Sequence, residues 1–478
     1  MASAAAVGVY TTAPKIRPSF TGAVLAIGDL AAVALTIALA VAIRQVFNGN
    51  FHLAQYWHLW PLLALFGATY SLFGLYPGIA MSPIAELRTT TYATTLVYLG
   101  LGALTFVFRI PFTYSRGAFL ASWLVSLFAV PLTRAVLRSA LRDKQWWGYR
   151  TVIMSVAGAG QTVVETLAKN AEIGLRAVAI FDNELQPGSH IHGVPVVGGL
   201  AAAPAFAERA GIKRAILAMP DSPPAELLRL IDLHAKTFSR VFMMPGLNGL
   251  SSIGVEIRDM SRMLALELRK SLLMTGPRAA KRSLDLVLSL AALIFLTPVL
   301  LLIAVLIRLE SRGPALYSQS RVGLGRGRFR VWKFRTMCLN ADHVLEDYLA
   351  ANPALRVEWE RDHKLKRDPR VTWMGRFLRK TSLDELPQLI NVLRGEMSLV
   401  GPRPIVDGEI EKYGESFGLY TQVVPGLTGL WQVSGRNDTT YQERVELDTY
   451  YVRNWSPWLD IYLLARTVKV VITGYGAY

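Results

Sequence analysis

The chain has 478 residues, 52% of them hydrophobic and only 18% charged, with a formal charge of +16. That is long enough for two or three domains and too apolar for an ordinary soluble protein; in a membrane protein, such an excess of cations sits on cytoplasmic loops and against anionic headgroups. No nucleic-acid-binding motif accompanies the charge, which argues against nucleic acid as a partner, and a single cysteine, Cys338, excludes an intrachain disulfide and any cysteine-based metal cluster.

Lys15 and Arg17 precede an apolar run long enough to span a bilayer. No small-residue cleavage site ends that run, so the pattern predicts an anchor rather than a removed signal. Four apolar stretches follow in order, at about Thr21 to Ile43, Trp57 to Tyr76, Tyr92 to Phe108 and Ala118 to Val136. Each approaches the ~20 residues that cross ~30 Å of hydrocarbon. Lys15 and Arg17 flank the first, and Arg134, Arg138, Arg142, Lys144 and Arg150 flank the last. An even number of spans with cations at both outer ends puts both ends of the bundle in the cytoplasm. Asp29, inside the first stretch, is expensive in a membrane, and either pairs within the bundle or binds something.

From about Tyr149 the pattern is that of a soluble α/β domain. Thr151 to Met154 reads as a buried strand, followed by Gly158-x-Gly160, a helical pattern from Thr162 to Lys169, and a second strand over Ala177 to Asp182. Asp182 falls near the ribose position of a dinucleotide fold, but Val163 stands where the third glycine would be. Further strands are expected at Arg214 to Ala218 and Arg240 to Met243. The fold is Rossmann-like; a bound dinucleotide is not expected.

An uncharged run from Leu286 to Ile307 then follows Lys281 and Arg282 and precedes Arg308, Arg312 and Arg321. Its length allows a fifth span, yet the cations claim both ends for the cytoplasmic side. Pro298, near its middle, removes a backbone hydrogen bond and bends a helix. These features favour a kinked, re-entrant helix that dips into one leaflet and returns.

The rest is basic and rich in aromatics. Gly323-x-Gly325-x-Gly327 reads as a turn between two strands, the second of which carries Lys333 and Arg335 on one face. That face is either simply solvated or cationic for phosphate. Asp342 to Ala351 and Pro353 to Glu360, with Leu355 and Trp359 inward, read as two short amphipathic helices that lie on a membrane or pack in a core. Then comes Arg379-Lys380-Thr381-Ser382-Leu383-Asp384-Glu385-Leu386-Pro387-Gln388, and later Gly401-Pro402-Arg403-Pro404. Ser382-x-x-Glu385 has the spacing of a helix capping box. Adjacent carboxylates among arginines also suit phosphoryl transfer, where a carboxylate attacks or holds Mg²⁺ and guanidinium groups spread phosphate charge.

Several spaced motifs now agree at once. Lys281-Arg282-x-x-Asp285, Pro298, Gln319-Ser320-Arg321-Val322-Gly323, Lys333-Phe334-Arg335-Thr336-Met337, Asp368-Pro369-Arg370-Val371-Thr372, the stretch through Asp384 and Glu385, Gly401 to Pro404, and Pro425-Gly426-Leu427-Thr428-Gly429 occur in order. From about Ala279 to Tyr478 the chain resembles the polyprenyl-phosphate hexose-1-phosphate transferases, the monotopic phosphoglycosyl transferases, and its final stretch is most similar to the undecaprenyl-phosphate galactose phosphotransferases. The resemblance implies a membrane protein built as a four-helix transmembrane bundle (1–146), a Rossmann-like cytosolic α/β domain (147–276), a re-entrant membrane helix (277–309) and a mainly α-helical cytosolic catalytic domain (310–478). It implies that Asp384 attacks the β-phosphorus of a UDP-hexose, that UMP leaves, and that undecaprenyl phosphate then takes the sugar phosphate from the aspartate. Galactose is favoured over glucose. Glu385 would hold Mg²⁺, and Arg403, Arg379, Lys333 and Arg335 would contact phosphate. Arg370 and Gln388 match by position, Arg436 would serve nucleotide or sugar, and Lys281 and Arg282, in the motif completed by Asp285, would meet headgroups or the carrier's phosphate. A homodimer in the inner membrane is expected. A nucleotide-sugar-modifying enzyme using NAD and a non-enzymatic scaffold are the competing classes.

Overall fold

A computed structural model describes residues 18–47, 57–107, 115–144, 146–156, 158–219, 237–244, 255–259, 264–268, 272, 274–351, 356, 368–435 and 439–473. Lys15, Arg17, Arg436 and the second short helix expected at Pro353 to Glu360 lie outside them. The chain forms two compact units, Met1–Asn248 and Gly249–Tyr478.

The first unit begins with four helices, α1 (Pro18–Phe47), α2 (Leu63–Leu72), α3 (Pro83–Val107) and α4 (Arg116–Leu141). Phe66, Tyr70, Ala93, Val97, Tyr98 and Val130 make their shared core with Ala32 and Val33. Gly28 on α1 allows a close crossing, since a side chain there would collide with Leu137 of α4. Among the described residues of this unit, α1 and α4 are long and apolar enough to cross a membrane. The second apolar stretch is broken into a 3-10 turn containing Pro61 and a ten-residue helix that stops before Gly74, whose φ is +71°. The third is helical over 25 residues, but Glu86, Arg88 and a run of threonines dilute it. Length and apolarity thus support the two outer spans of the expected four-span bundle.

Asp29 is paired. Its Oδ2 lies 2.6 Å from Arg134 Nη2 and accepts from the Tyr76 hydroxyl at 2.9 Å. Arg134 Nη1 also meets Glu86 Oε1 at 2.7 Å, and Arg138 Nη2 meets the same oxygen at 2.8 Å. Arg134 and Arg138, counted by sequence as flanking cations, are thus buried inside the bundle. The cost of a lone buried charge is met by pairing, as low dielectric demands. Arg138 Nη1 reaches further, to the Glu172 carbonyl at 3.0 Å in the α/β part, and the Gly148 amide donates to Thr21 Oγ1 at 3.2 Å. Helices and sheet fall within one compact unit.

The α/β part has a six-stranded sheet of β1 (Tyr149–Ser155), β2 (Leu175–Asp182), β3 (His190–Ile191), β4 (Val194–Gly198), β5 (Arg214–Ala218) and β6 (Arg240–Met243), in the order β3-β4-β2-β1-β5-β6. All pairs are parallel except β3 with β4. Val152, Ile153 and Met154 of β1 are at most 1% exposed, the continuous apolar run that a strand covered on both faces requires. Helix α5 (Ala159–Lys169) follows Gly158, whose φ is +76°, and buries Val163 and Val164, and helix α6 (Ala203–Ala210) buries Phe206 and Ala207. The predicted ribose acid is occupied: Asp182 accepts from Ser155 Oγ at 2.7 Å and from the Glu184 amide at 2.8 Å.

In the second unit, β7 (Val255–Asp259) and β8 (Leu264–Leu268) pair antiparallel, and helix α7 (Thr275–Glu310) then runs 36 residues with Pro298 inside it. It too is long and apolar enough to cross a membrane. Its middle is bare, with Val287 66%, Phe295 81% and Leu301 63% exposed, whereas Lys281, Asp285 and Ser289 near one end and Ile303 and Ile307 near the other are buried. After it come the hairpin β9 (Leu316–Val322) and β10 (Arg328–Phe334), then α8 (Ala341–Ala351), α9 (Trp373–Thr381), α10 (Gln388–Arg394), β11 (Ser398–Val400), α11 (Ile410–Tyr413), α12 (Phe417–Tyr420), β12 (Gly426–Thr428), α13 (Leu430–Ser434), α14 (Tyr441–Arg453) and α15 (Pro457–Thr473). The predicted glycine turn closes the hairpin, with Gly325 at φ +63°.

Candidate active site

Helix α9 starts with Thr372, whose Oγ1 accepts the Gly375 amide at 3.0 Å, and ends at Ser382 in the left-handed region (φ 56°). A single 3-10 turn, Leu383–Glu385, leads through Pro387 into α10. The Ser382–Glu385 capping box does not form, because Ser382 makes no side-chain cap and Glu385 turns instead to β10. There Lys333 Nζ lies 2.6 Å from Glu385 Oε1. The tight turn therefore sets Glu385 against the hairpin and within reach of the Arg403 charge, with Asp384 next to it in the chain and acted on by Lys333 and Arg379.

That second turn is held by a close crossing. Gly401 donates to Thr428 O at 2.9 Å and Gly426 to Pro402 O at 2.7 Å, and a side chain on Gly426 would overlap Gly401. Arg403 emerges from it exposed, with its guanidinium carbon 5.6 Å from the Trp431 ring.

The two carboxyls have been driven apart. Burial and then the neighbouring Glu385 charge push Asp384 up to about 6, against Lys333 and Arg379. Glu385 is also pushed up by loss of water, but Lys333, Arg403 and Arg321 outweigh that and hold it below the usual carboxylate range. Adjacent acids in opposed environments divide their roles: one stays ionised and paired, the other is poised near neutrality.

The remaining predicted residues separate. Arg379 points its Nε at Thr336 Oγ1 at 3.0 Å, beside Asp384. Arg370 pairs with Asp368 at 2.7 Å, and Gln388 is buried at the start of α10. Arg335 does not offer a free guanidinium to phosphate: it is buried and gives its donors to Ser311 O and Oγ, both at 2.8 Å, and Arg312 O at 3.0 Å, capping the end of α7. Lys281 and Arg282 do not face headgroups. Lys281 Nζ is buried between Asp285 Oδ1 at 3.1 Å and Asp460 Oδ2 at 2.7 Å, and Arg282 donates to the Val392 and Leu393 carbonyls. Asp285 also accepts from Ser398 Oγ at 2.8 Å and Leu399 N at 3.2 Å. These three residues fasten α7 to the β11 and α10 region, because a solvent-starved cation is worth more paired than facing outward. Pro298 sits exposed at mid-helix.

Sequence reasoning passed over Arg321 as a site residue. Its Nη1 donates to Pro404 O at 3.3 Å and lies 3.8 Å from Glu409 Oε2, and its charge acts on Glu385. Its place just before the glycine turn was the available signal. Among the described residues no group of three or more acidic, histidine or cysteine side chains could cage a metal. Mg²⁺ does not need one, since it binds through one or two carboxylates and the substrate's phosphates.

Residues 276–474 match the model of the bacterial sugar transferases, and residues 71–245 match a model described as a CoA-binding domain. The chain is 35% identical over 399 residues to the UDP-galactose-lipid carrier transferase of Erwinia amylovora, covering 83% of this chain and 82% of that one. It is 36% identical over 390 residues to the undecaprenyl-phosphate galactose phosphotransferase of Salmonella typhimurium, covering 80% and 81%. The UDP-glucose:undecaprenyl-phosphate glucose-1-phosphate transferase of Escherichia coli is 32% identical over 371 residues, covering 74% and 76%. With residues 276–474 matching the family model and relatives 35% and 36% identical over about four-fifths of their own length, the chain belongs to the bacterial sugar transferase family and is an enzyme.

Proposed function

We propose that the protein transfers hexose-1-phosphate, galactose first and glucose next, from a UDP-hexose to undecaprenyl phosphate, opening the membrane stage of exopolysaccharide, O-antigen or capsule synthesis. The observation that carries the mechanism is the division between the two carboxyls. Glu385 is engaged by Lys333 and held ionised, which leaves Asp384 as the nucleophile. An Asp384 oxygen attacks the β-phosphorus, the bond from that phosphorus to the bridging oxygen breaks, and UMP departs with the electron pair. An oxygen of undecaprenyl phosphate then attacks the same phosphorus and frees Asp384. Splitting one displacement between anions into two lets the same cations serve both steps. Lys333 and Arg379 act on the Asp384 carboxyl, and Lys333, Arg403 and Arg321 on that of Glu385. Glu385 would hold Mg²⁺, which when bound neutralises diphosphate charge.

The test uses protein in nanodiscs with Mg²⁺, undecaprenyl phosphate and UDP-galactose or UDP-glucose, following UMP. Lipid-dependent UMP from one sugar is expected; none from either sugar would sink the reading. EDTA should silence the reaction and Mg²⁺ restore it, whereas full activity in EDTA would remove the metal from Glu385.

The same reading makes α7 re-entrant, in an inner-membrane, multi-pass homodimer with its catalytic unit on the cytosolic face. Both ends of α7 pack on one folded unit. Near its start Arg282 reaches α10; near its end Ile303 and Ile307 join Phe334, Met374 and Leu378, and Glu310 accepts the Met374 amide. A straight helix would hold Arg282 and Glu310 roughly 42 Å apart, on opposite faces of the bilayer. In a Cys338→Ala background, Ser283→Cys and Arg312→Cys should both be labelled by an impermeant maleimide from the cytosolic side only. Labelling from opposite sides would replace re-entry with a span.

A further inference from the structure

Arg403 faces solvent on a turn, and a long side chain in water samples many rotamers. Ordering it upon a phosphate costs entropy unless the protein has already ordered it. Three side chains behind it do not touch Asp384 or Glu385 and are unexplained by the chemistry above. Trp431, buried on α13, carries Arg403 at 5.6 Å from its ring and also the guanidinium of Arg444, at 4.8 Å. Arg444 is itself aimed by its Nε, which donates to Thr439 Oγ1 at 3.2 Å. One helical turn along α14, on the same face, Asp448 is buried beneath the Arg403 turn. Its Oδ2 accepts from the Tyr413 hydroxyl at 2.8 Å, and its Oδ1 has no hydrogen-bond partner among the described residues. Burial pushes this carboxyl up to about 7, with the Tyr413 hydroxyl, the Arg403 amide and the Arg403 charge pulling it back. Helix α14 is itself fixed at its start by a capping box, Thr440 with Glu443.

We propose that Trp431, Arg444 and Asp448 are positioning residues for Arg403. The indole sets the plane of its guanidinium, Arg444 locks the indole, and Asp448 supports the turn from below, so that Arg403 meets the transferring phosphate already oriented. This rests on the reading that Arg403 contacts that phosphate. A residue that works through Arg403 has nothing left to act on once Arg403 is changed, which separates positioning from general stability.

The experiment is a set of double-mutant cycles in nanodiscs. Trp431→Leu, Arg444→Gln and Asp448→Asn are each made alone and together with Arg403→Lys. kcat/KM for UMP release is measured with UDP-galactose and undecaprenyl phosphate. UDP binding to the same variants, each carrying Asp384→Asn, is measured by calorimetry, so that an inactive variant still gives an answer. Trp431→Leu and Arg444→Gln are each expected to lower kcat/KM about fivefold, the upper scale of one lost cation–π contact at an exposed site, and Asp448→Asn by a similar factor. Each double variant should be no worse than Arg403→Lys alone, and Trp431→Phe should recover most of the activity. Losses that multiply across the cycles, or that track a lowered Tm, would overturn the proposal. If Trp431→Leu does not fold, the cycles on half-buried Arg444 and the Trp431→Phe variant decide it. Failure of the parent reading looks different: Arg403→Lys would leave kcat/KM untouched, or Asp384→Asn would turn over.

Discussion

Asp384→Asn is expected to reduce transfer at least about a thousandfold, the scale on which loss of an attacking group is felt, while the fold survives. The carboxamide has almost the same volume, Asp384 is half-buried on a 3-10 turn, and the contact its carboxyl makes with its own backbone amide is one that an amide oxygen can keep. What is lost is an oxygen able to form and then release a bond to phosphorus. The native enzyme should also show an acid limb. The carboxylate is the reactive form, and burial together with Glu385 raises Asp384 to about 6. Below that pH the ionised fraction, and with it kcat/KM, should fall about tenfold per pH unit. Measuring UMP release from pH 5 to 8, alongside the circular dichroism of both proteins, checks the two statements together. Turnover by Asp384→Asn within tenfold of native would assign the attack elsewhere.

Lys281→Met should be the most damaging single change to stability. Lys281 is 8% exposed and is the cation between Asp285 and Asp460. Removing one partner of a buried ion pair costs about 3–5 kcal/mol, because the charge left behind has neither water nor counter-ion. Here two carboxylates would be left together. Burial raises Asp460 and Lys281 pulls it back. Without Lys281 its folded-state pKa climbs further above the unfolded value, so the folded state favours its protonated form. Stability is then retained at low pH and lost as pH rises through the folded pKa, and the deficit of Lys281→Met should widen from pH 5 to 8. A Tm about 10 °C or more below native at pH 8, by the usual scaling for a unit of this size, is expected. Asp460→Asn added to it should restore part of the loss. An unchanged Tm with weakened binding to anionic vesicles would instead return Lys281 to the membrane surface, where its sequence context alone had put it.

The α/β part illustrates the same division of evidence on a smaller scale. Four of its six strands, β1, β2, β5 and β6, were readable as short apolar runs between turn residues, since a parallel sheet buries both faces, whereas the short edge pair β3 and β4 was not. The fate of its acid was not. Asp182 looks available for a ribose until the fold brings Ser155 against it. Val163, in the place of a third glycine, is core packing with Ile153 and Ile180.

Patterns that live within one stretch of chain were settled by sequence: the apolar length of α1, α4 and α7, the hairpin around Gly325, and the spaced motifs that bring Asp384, Glu385 and Arg403 into one family. Hydropathy and turn chemistry act over a few residues, so they are legible without a fold. What the tertiary structure decided was the partner of each long cationic side chain. Lys281, Arg282, Arg134, Arg138 and Arg335 all carry the charge expected of membrane-facing or phosphate-binding groups, yet each is spent on an acid or a carbonyl elsewhere in its unit. Arg321, unassigned by motif, is turned toward Glu385. A cation's role depends on which carboxylate lies within about 4 Å and how much water remains there, and distance and burial exist only once remote segments have packed.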